Sequence, residues 1–135
     1  MLKQLNYTDL ISAIQKRIEE NTGIKCYDMV PINAPSPFYY VEITGKRKSD
    51  TKTMFCETYN VMIHALSKAS SSSIGIFDLI NKLEEAMTED IVLPEGFNLI
   101  MQTQISMNNL ITEETKEKHA IFQYDFKISY GFKCK

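Results

Sequence analysis

The chain has 135 residues, a formal net charge of −2 and 44% apolar residues, a composition that fits one folded domain with a sizeable core. That balance excludes a dedicated nucleic-acid binder, which carries a basic stripe, and no apolar run approaches the roughly 20 residues that span a bilayer. Cys26, Cys56 and Cys134 are odd in number and show no CxxC spacing. Met1 to Asn6 offers no apolar signal-peptide core, so the expectation is reduced thiols in a cytoplasmic protein.

The first element is predicted as a helix over Tyr7 to Asn21. Leu10, Ile11, Ile14 and Ile18 recur at helical spacing, while Lys16, Arg17, Glu19 and Glu20 face away. Asn6 or Thr8 can cap its start and Gly23 can end it. Ile24 to Val30 reads as a short strand. Pro31, Pro35 and Pro37 then hold an extended connection, because proline fixes its own φ and biases the residue before it. Phe38 to Thr44 is a second strand with Tyr39, Val41 and Ile43 on one face. Gly45 to Lys52 reads as a polar loop. Thr53 to Leu66 is a third strand, in which Tyr59, Val61, Ile63 and Ala65 alternate with Asn60, Met62 and His64.

Four consecutive serines, Ser70 to Ser73, precede a second helix over Ile74 to Met87, with the last serine as its cap. Its buried face is expected to carry Ile76, Phe77, Ile80, Leu83 and Met87. Leu93 to Gly96 reads as a type I turn. A fourth strand runs from Phe97 to about Met107, with Phe97, Leu99 and Met101 on one face, and Asn108 to Glu117 forms a polar hairpin loop. In the last stretch, Lys118 to Lys133, Ala120, Phe122, Tyr124, Phe126, Ile128, Tyr130 and Phe132 fall on every second residue. That writes a long strand with one aromatic face, the expected centre of the core.

The order α-β-β-β-α-β-β predicts a single α+β domain over residues 1–135: a curved antiparallel sheet of about five strands with both helices on one face. Chemistry is sparse. His64 and His119 lie in or beside strands without cysteine or carboxylate at metal-ligand spacing, and the five glycines are scattered. No phosphate loop, nucleophile elbow or HExxH motif is present, so no catalytic residue, cofactor or metal site is expected. Charge is more informative. Lys46, Arg47, Lys48 and Lys52 crowd the first polar loop against Asp50 alone, and Glu84, Glu85, Glu89, Asp90 and Glu95 crowd the end of the second helix. A basic loop meeting a neighbour's acidic edge would give a head-to-tail contact able to close into a ring. Glu113, Glu114 and Glu117, in the second hairpin loop, join these candidate subunit or partner contacts.

The whole-chain pattern resembles the tail-terminator, or tail-completion, proteins of long-tailed bacteriophages and their prophage relatives. The likeness is carried by the first helix, by Ala34-Pro35-Ser36-Pro37-Phe38-Tyr39-Tyr40-Val41-Glu42-Ile43 and by Tyr59-Asn60-Val61-Met62-Ile63-His64-Ala65-Leu66-Ser67. The second helix and the terminal Phe122-Gln123-Tyr124-Asp125-Phe126-Lys127-Ile128 complete it. The resemblance implies a homo-oligomeric ring, commonly of six subunits. Such a ring caps the tail tube, stops its polymerisation and offers a docking surface to the head connector. It also implies assembly in the bacterial host cytoplasm, residence in the virion tail, and no membrane or specific nucleic-acid partner. The Ser70 to Ser73 run and the Lys46-Arg47-Lys48 loop map onto no motif of that family. The alternative from a different class is a small-ligand or peptide-binding α+β domain of bacterial origin with no phage role, which needs a concave apolar pocket with a few polar groups.

Overall fold

The computed structural model describes residues 2–133, the side chains of residues 109 and 110 excepted. The elements are α1 (Tyr7–Thr22), β1 (Cys26–Tyr27), β2 (Phe38–Lys48), β3 (Met54–Leu66), α2 (Ile74–Ala86), β4 (Asn98–Thr112) and β5 (Lys118–Phe132). They form an α+β fold around one sheet with strand order β1-β2-β3-β5-β4. The sheet is mixed rather than purely antiparallel: β1 runs parallel to β2, and the other three pairings are antiparallel. β1 is also far shorter than Ile24 to Val30. It pairs only at Cys26 and Tyr27, before the proline-rich connection whose prolines have no N–H to donate.

Both helices lie on the face that carries Tyr39, Val41, Tyr59, Val61, Ile63, Ala65, Phe122, Tyr124, Phe126 and Ile128, all buried with Leu10, Ile14, Ile18, Ile76, Ile80 and Leu83. β5 stands between β3 and β4, so its alternating aromatic residues form the centre of this layer. Its alternation ends at Tyr130. The pairing shifts between Cys56↔Ser129 and Phe55↔Gly131, and the extra residue lets Tyr130 stack on Phe55 while Phe132 points into solvent. α1 ends as expected on Gly23, whose φ of 71° lets its N–H bond the Glu19 carbonyl.

Further expectations need correction. β4 does not end near Met107 but runs on to Thr112, into the stretch read as a polar hairpin loop, because it stays paired with β5 as far as Thr112↔Lys118. Phe77 is 51% exposed and outside the core, because Leu79 and Ile80 with Ile76 and Leu83 turn the buried stripe of α2 away from it. Ser73 occupies the N-cap position but its hydroxyl makes no cap bond; the Ser72 hydroxyl accepts from the Ile74 N–H instead. The turn after Leu93 closes from the Pro94 carbonyl to the Phe97 N–H with Gly96 at φ 96°, the type II arrangement. In β4, Ile100 is an extra residue between Leu99↔Ile128 and Met101↔Lys127. That bulge turns Met101 outward, away from the face that Leu99 shares with the core.

β4 lacks apolar periodicity for a physical reason. Opposite Phe126 and Tyr124 it presents Gln102 and Gln104 to the core side. Gln102 donates to the carbonyls of Met87 and Glu89 and accepts from the Ile91 N–H, pinning the connection after α2. Gln104 accepts from the Tyr124 hydroxyl and donates to Glu84. Backbone groups of the connection after α2 are thus satisfied by the Gln102 amide where a core strand would offer an apolar side chain.

Candidate functional site: the open sheet face

The sheet face away from the helices carries the polar alternates of the core strands: Tyr40, Glu42, Asn60, Met62, His64, Ile121, Gln123 and Asp125. Most are exposed or half-buried, but His64 is only 5% exposed. Its ring lies face-on to Tyr40, with centroids 3.9 Å apart and planes within 4°. Its Nδ1 is 2.8 Å from Nε2 of His119, and its Nε2 is 3.1 Å from Oε1 of Glu42. His119 Nδ1 in turn is 2.9 Å from Oε1 of Glu113. The result is a linear chain, Glu42–His64–His119–Glu113, that ties β2, β3, β5 and the β4–β5 turn together. Sequence reasoning missed it, because the four residues come from distant segments and β3–β5 pairing alone brings the histidines together.

Burial lowers the pKa of His64 from its ordinary 6.5, against the opposing pull of the Glu42 carboxylate and with a further lowering from His119. The Tyr40 hydroxyl is pushed up by burial, then by Glu42 and Glu113. The chain does not converge on a point, and among the described residues no group of three or more His, Cys, Asp or Glu side chains could hold a metal ion. Cys26 and Cys56 are buried free thiols; burial and then Glu19 push Cys26 up to about 12, which keeps it a neutral, unreactive side chain. Cys134 lies outside the described residues.

The charged residues singled out from sequence separate into two groups. Gly45 to Lys48 is not a loop but the end of β2, paired with Glu57 to Asn60 of β3. There Lys46 bonds Glu57 at 3.2 Å, Arg47 lies 3.9 Å from Asp125, and Lys48 reaches the Tyr130 hydroxyl at 3.1 Å and Asp50 at 3.9 Å. The strand extends this far because each basic side chain has a cross-strand anion or hydroxyl to meet. Glu89 pairs with Arg17 at 3.3 Å, and the Asp90 carbonyl accepts from the same guanidinium. Glu84 accepts from Gln104, Glu113 from His119, and Glu117 from the Thr115 hydroxyl. Lys52, Glu85 and Glu114 are exposed, and their side chains make no ion pair among the described residues. An open depression beside α1, lined by Tyr7, Ile11, Asp28, Val41, Glu42 and Lys46, mixes both polarities rather than presenting an apolar pocket.

With an α+β domain that presents one bare sheet face, the comparisons with known proteins specify the class further. The model of a phage tail-terminator family, described as "Putative tail termination protein", matches residues 1–135. The chain belongs to that family, and a structural role in a phage tail follows. The fold is also similar to that of a chain in a solved structure titled "Virion of native gene transfer agent (GTA) particle". The TM-score is 0.66 at 15% sequence identity, covering 92% of this chain and 99% of that one. No curated protein matches the sequence. Among the described residues, no helix is long and apolar enough to cross a membrane.

Proposed function

We propose that this protein is the tail terminator of a phage or prophage: a homo-oligomeric ring, with six subunits the number the family resemblance implies, that caps the tail tube. It stops tube polymerisation and joins the tail to the head connector. It assembles in the host cytoplasm, ends in the virion tail, and works by shape and contact rather than by catalysis. The observation that carries this reading is the family match over the whole chain, under a description that names tail termination. The likeness to a chain of a phage-like particle supports the fold that such a role uses.

The proposed subunit contact is head-to-tail, between the basic residues of the β2–β3 hairpin and the acidic residues at the end of α2 and in the β4–β5 turn. Lys46, Arg47, Lys48, Glu89 and Glu113 are engaged inside the chain, so the free charges Lys52, Glu85 and Glu114 are the better contact residues. Electrostatic pairing of this kind fixes orientation. β4 is the sheet's second edge, and its bulges leave Ile100, Met101 and Ile105 exposed beside an unpaired backbone. The test is polymerisation of the cognate tube protein, followed by light scattering and electron microscopy. Substoichiometric amounts of this protein should shorten tubes and leave a ring at one end. Tubes of unchanged length without rings, at any ratio, would overturn the reading.

A further inference from the structure

We propose that the β4 edge of one copy adds as a strand to the open edge of β2 on a second copy, with Gln102 to Gln104 lying antiparallel to Val41 to Ile43, so that the sheets of neighbouring subunits join. This names the contact for the assembly of copies proposed above and rests on that reading.

β4 is the strand that calls for a partner. Its 15 residues, Asn98–Thr112, form the outermost strand of the sheet and include no charged residue. Edge strands that remain solitary are blunted by charge, above all by lysine, because their unpaired N–H and C=O groups otherwise recruit another chain. Here Ile100, Met101, Ile105 and Ile111 are exposed instead.

β2 supplies the matching vacancy. β1 pairs with it only at Tyr39 and Tyr40, so beyond them β2 has no strand on its outer side among the described residues. An open depression of about 530 Å³ lies along Val41 to Lys46 there, walled by Tyr7 and Ile11 of α1.

The backbone fixes the register. In an antiparallel ladder, successive residues alternate between turning both N–H and C=O toward the partner strand and turning both away. The Tyr39 N–H goes to the Lys25 carbonyl at 2.9 Å, away from β3, so Val41 and Ile43 also turn outward. Carried through β3 and β5, the same alternation turns Gln102 and Gln104 to the free edge of β4. Both stretches are regular: β2 shifts register only after Ile43, and Met101 to Gln104 lie between the extra residues Ile100 and Ile105. Gln102 therefore sets opposite Ile43 and Gln104 opposite Val41. The Gln102 N–H donates to the Ile43 carbonyl, the Ile43 N–H to the Gln102 carbonyl, and the Gln104 N–H to the Val41 carbonyl. Strand directions agree, because β2 and β4 run oppositely within one sheet. Copies related by rotation about an axis along the strands thus meet antiparallel and head to tail. The β2–β3 hairpin of one copy then comes to the side of the next where Gln104 holds Glu84.

Hydrogen exchange on the whole chain tests the three bonds. Amides of Ile43, Gln102 and Gln104 should exchange about tenfold more slowly in the assembled protein than in dilute monomer, while Thr103, turned to β5, is protected in both. Cross-linking tests the register. Glu42 and Thr103 become a non-hydrogen-bonded pair with Cα atoms about 4.5 Å apart, within disulfide reach. In a Cys134→Ser background, Glu42→Cys and Thr103→Cys proteins should each stay uncross-linked alone and give covalent dimers when mixed and oxidised. The double variant should give a ladder of larger covalent oligomers. Assembled protein whose three amides exchange as in the monomer, or mixed single variants that do not cross-link, would overturn strand addition; rings that still shorten tubes would leave the terminator reading standing. A protein that stays monomeric at every concentration, with or without tube protein, overturns both. Slowed amides and cross-links without any effect on tube growth would uphold the strand contact and sink the terminator reading alone.

Discussion

Lys46 Nζ lies 3.2 Å from Glu57 Oε2, across the β2–β3 hairpin, and Glu57 is 6% exposed. The same ammonium sits over the Tyr7 and Tyr59 rings, 5.0 and 5.8 Å from their centroids. Glu57 Oε1 is buried and has no hydrogen-bond partner among the described residues, so Lys46 is the main compensation for that carboxylate. Removing one member of a buried pair strands the other charge, whereas removing both is close to neutral. Lys46→Met is therefore expected to cost about 3 kcal/mol, at the low end of the range because the ammonium is partly hydrated. Lys46→Met with Glu57→Leu should recover most of that loss. Denaturant midpoints across the double-mutant cycle measure it.

Core placement gives a sharper contrast. Phe126 is fully buried at the centre of β5, and Phe126→Ala should cost about 3–5 kcal/mol. Phe77, on the solvent side of α2, should tolerate alanine within about 0.5 kcal/mol. Thermal melts of the two variants side by side decide this. A Phe77→Ala protein as damaged as Phe126→Ala would mean that α2 buries a different face.

Much of this architecture was readable because its elements bury one face at a clean period. β3 and β5 alternate strictly over their core stretch, and α1 repeats at helical spacing, so order, faces and core residues followed. What was not legible depended on pairing between distant segments. The parallel β1–β2 ladder covers two residue pairs, too few to leave a pattern. Bulges at Ile100 and Tyr130 reverse faces without any local marker. Lys46 to Lys48 read as a loop because their partners, Glu57, Asp125 and Tyr130, are remote in sequence. The histidine chain was hidden for the same reason.

Stability should vary with pH through His64. Its folded pKa is lowered from 6.5, chiefly by burial, so between those two values the unfolded chain binds more protons than the folded one. Stability then rises with pH in that window. Equivalently, it falls as pH drops below about 6.5 and levels off below the folded pKa. Urea unfolding at a series of pH values should show this slope in the wild type and a shallower one in His64→Gln. A wild-type curve that gains stability on acidification from about pH 6.5 would contradict the burial argument.

Subunit contact is tested by charge exchange at residues the fold does not use. Lys52 is exposed in the turn between β2 and β3, and Glu85 is exposed near the end of α2; neither pairs within the described residues. Lys52→Glu and Glu85→Lys should each leave the melting temperature within a degree or two, since isolated surface charges contribute about 0–1 kcal/mol. Each should weaken ring formation or tube capping, because a like charge now faces the neighbour across a head-to-tail interface. The double exchange restores opposite signs and should recover a large part of the lost assembly, with a salt dependence reduced in the singles and regained in the double. Sedimentation across a concentration series, with and without tube protein, reads all three. If the single variants assemble and cap like the wild type, these two residues do not face each other, and the contact must be sought at the exposed apolar residues of β4.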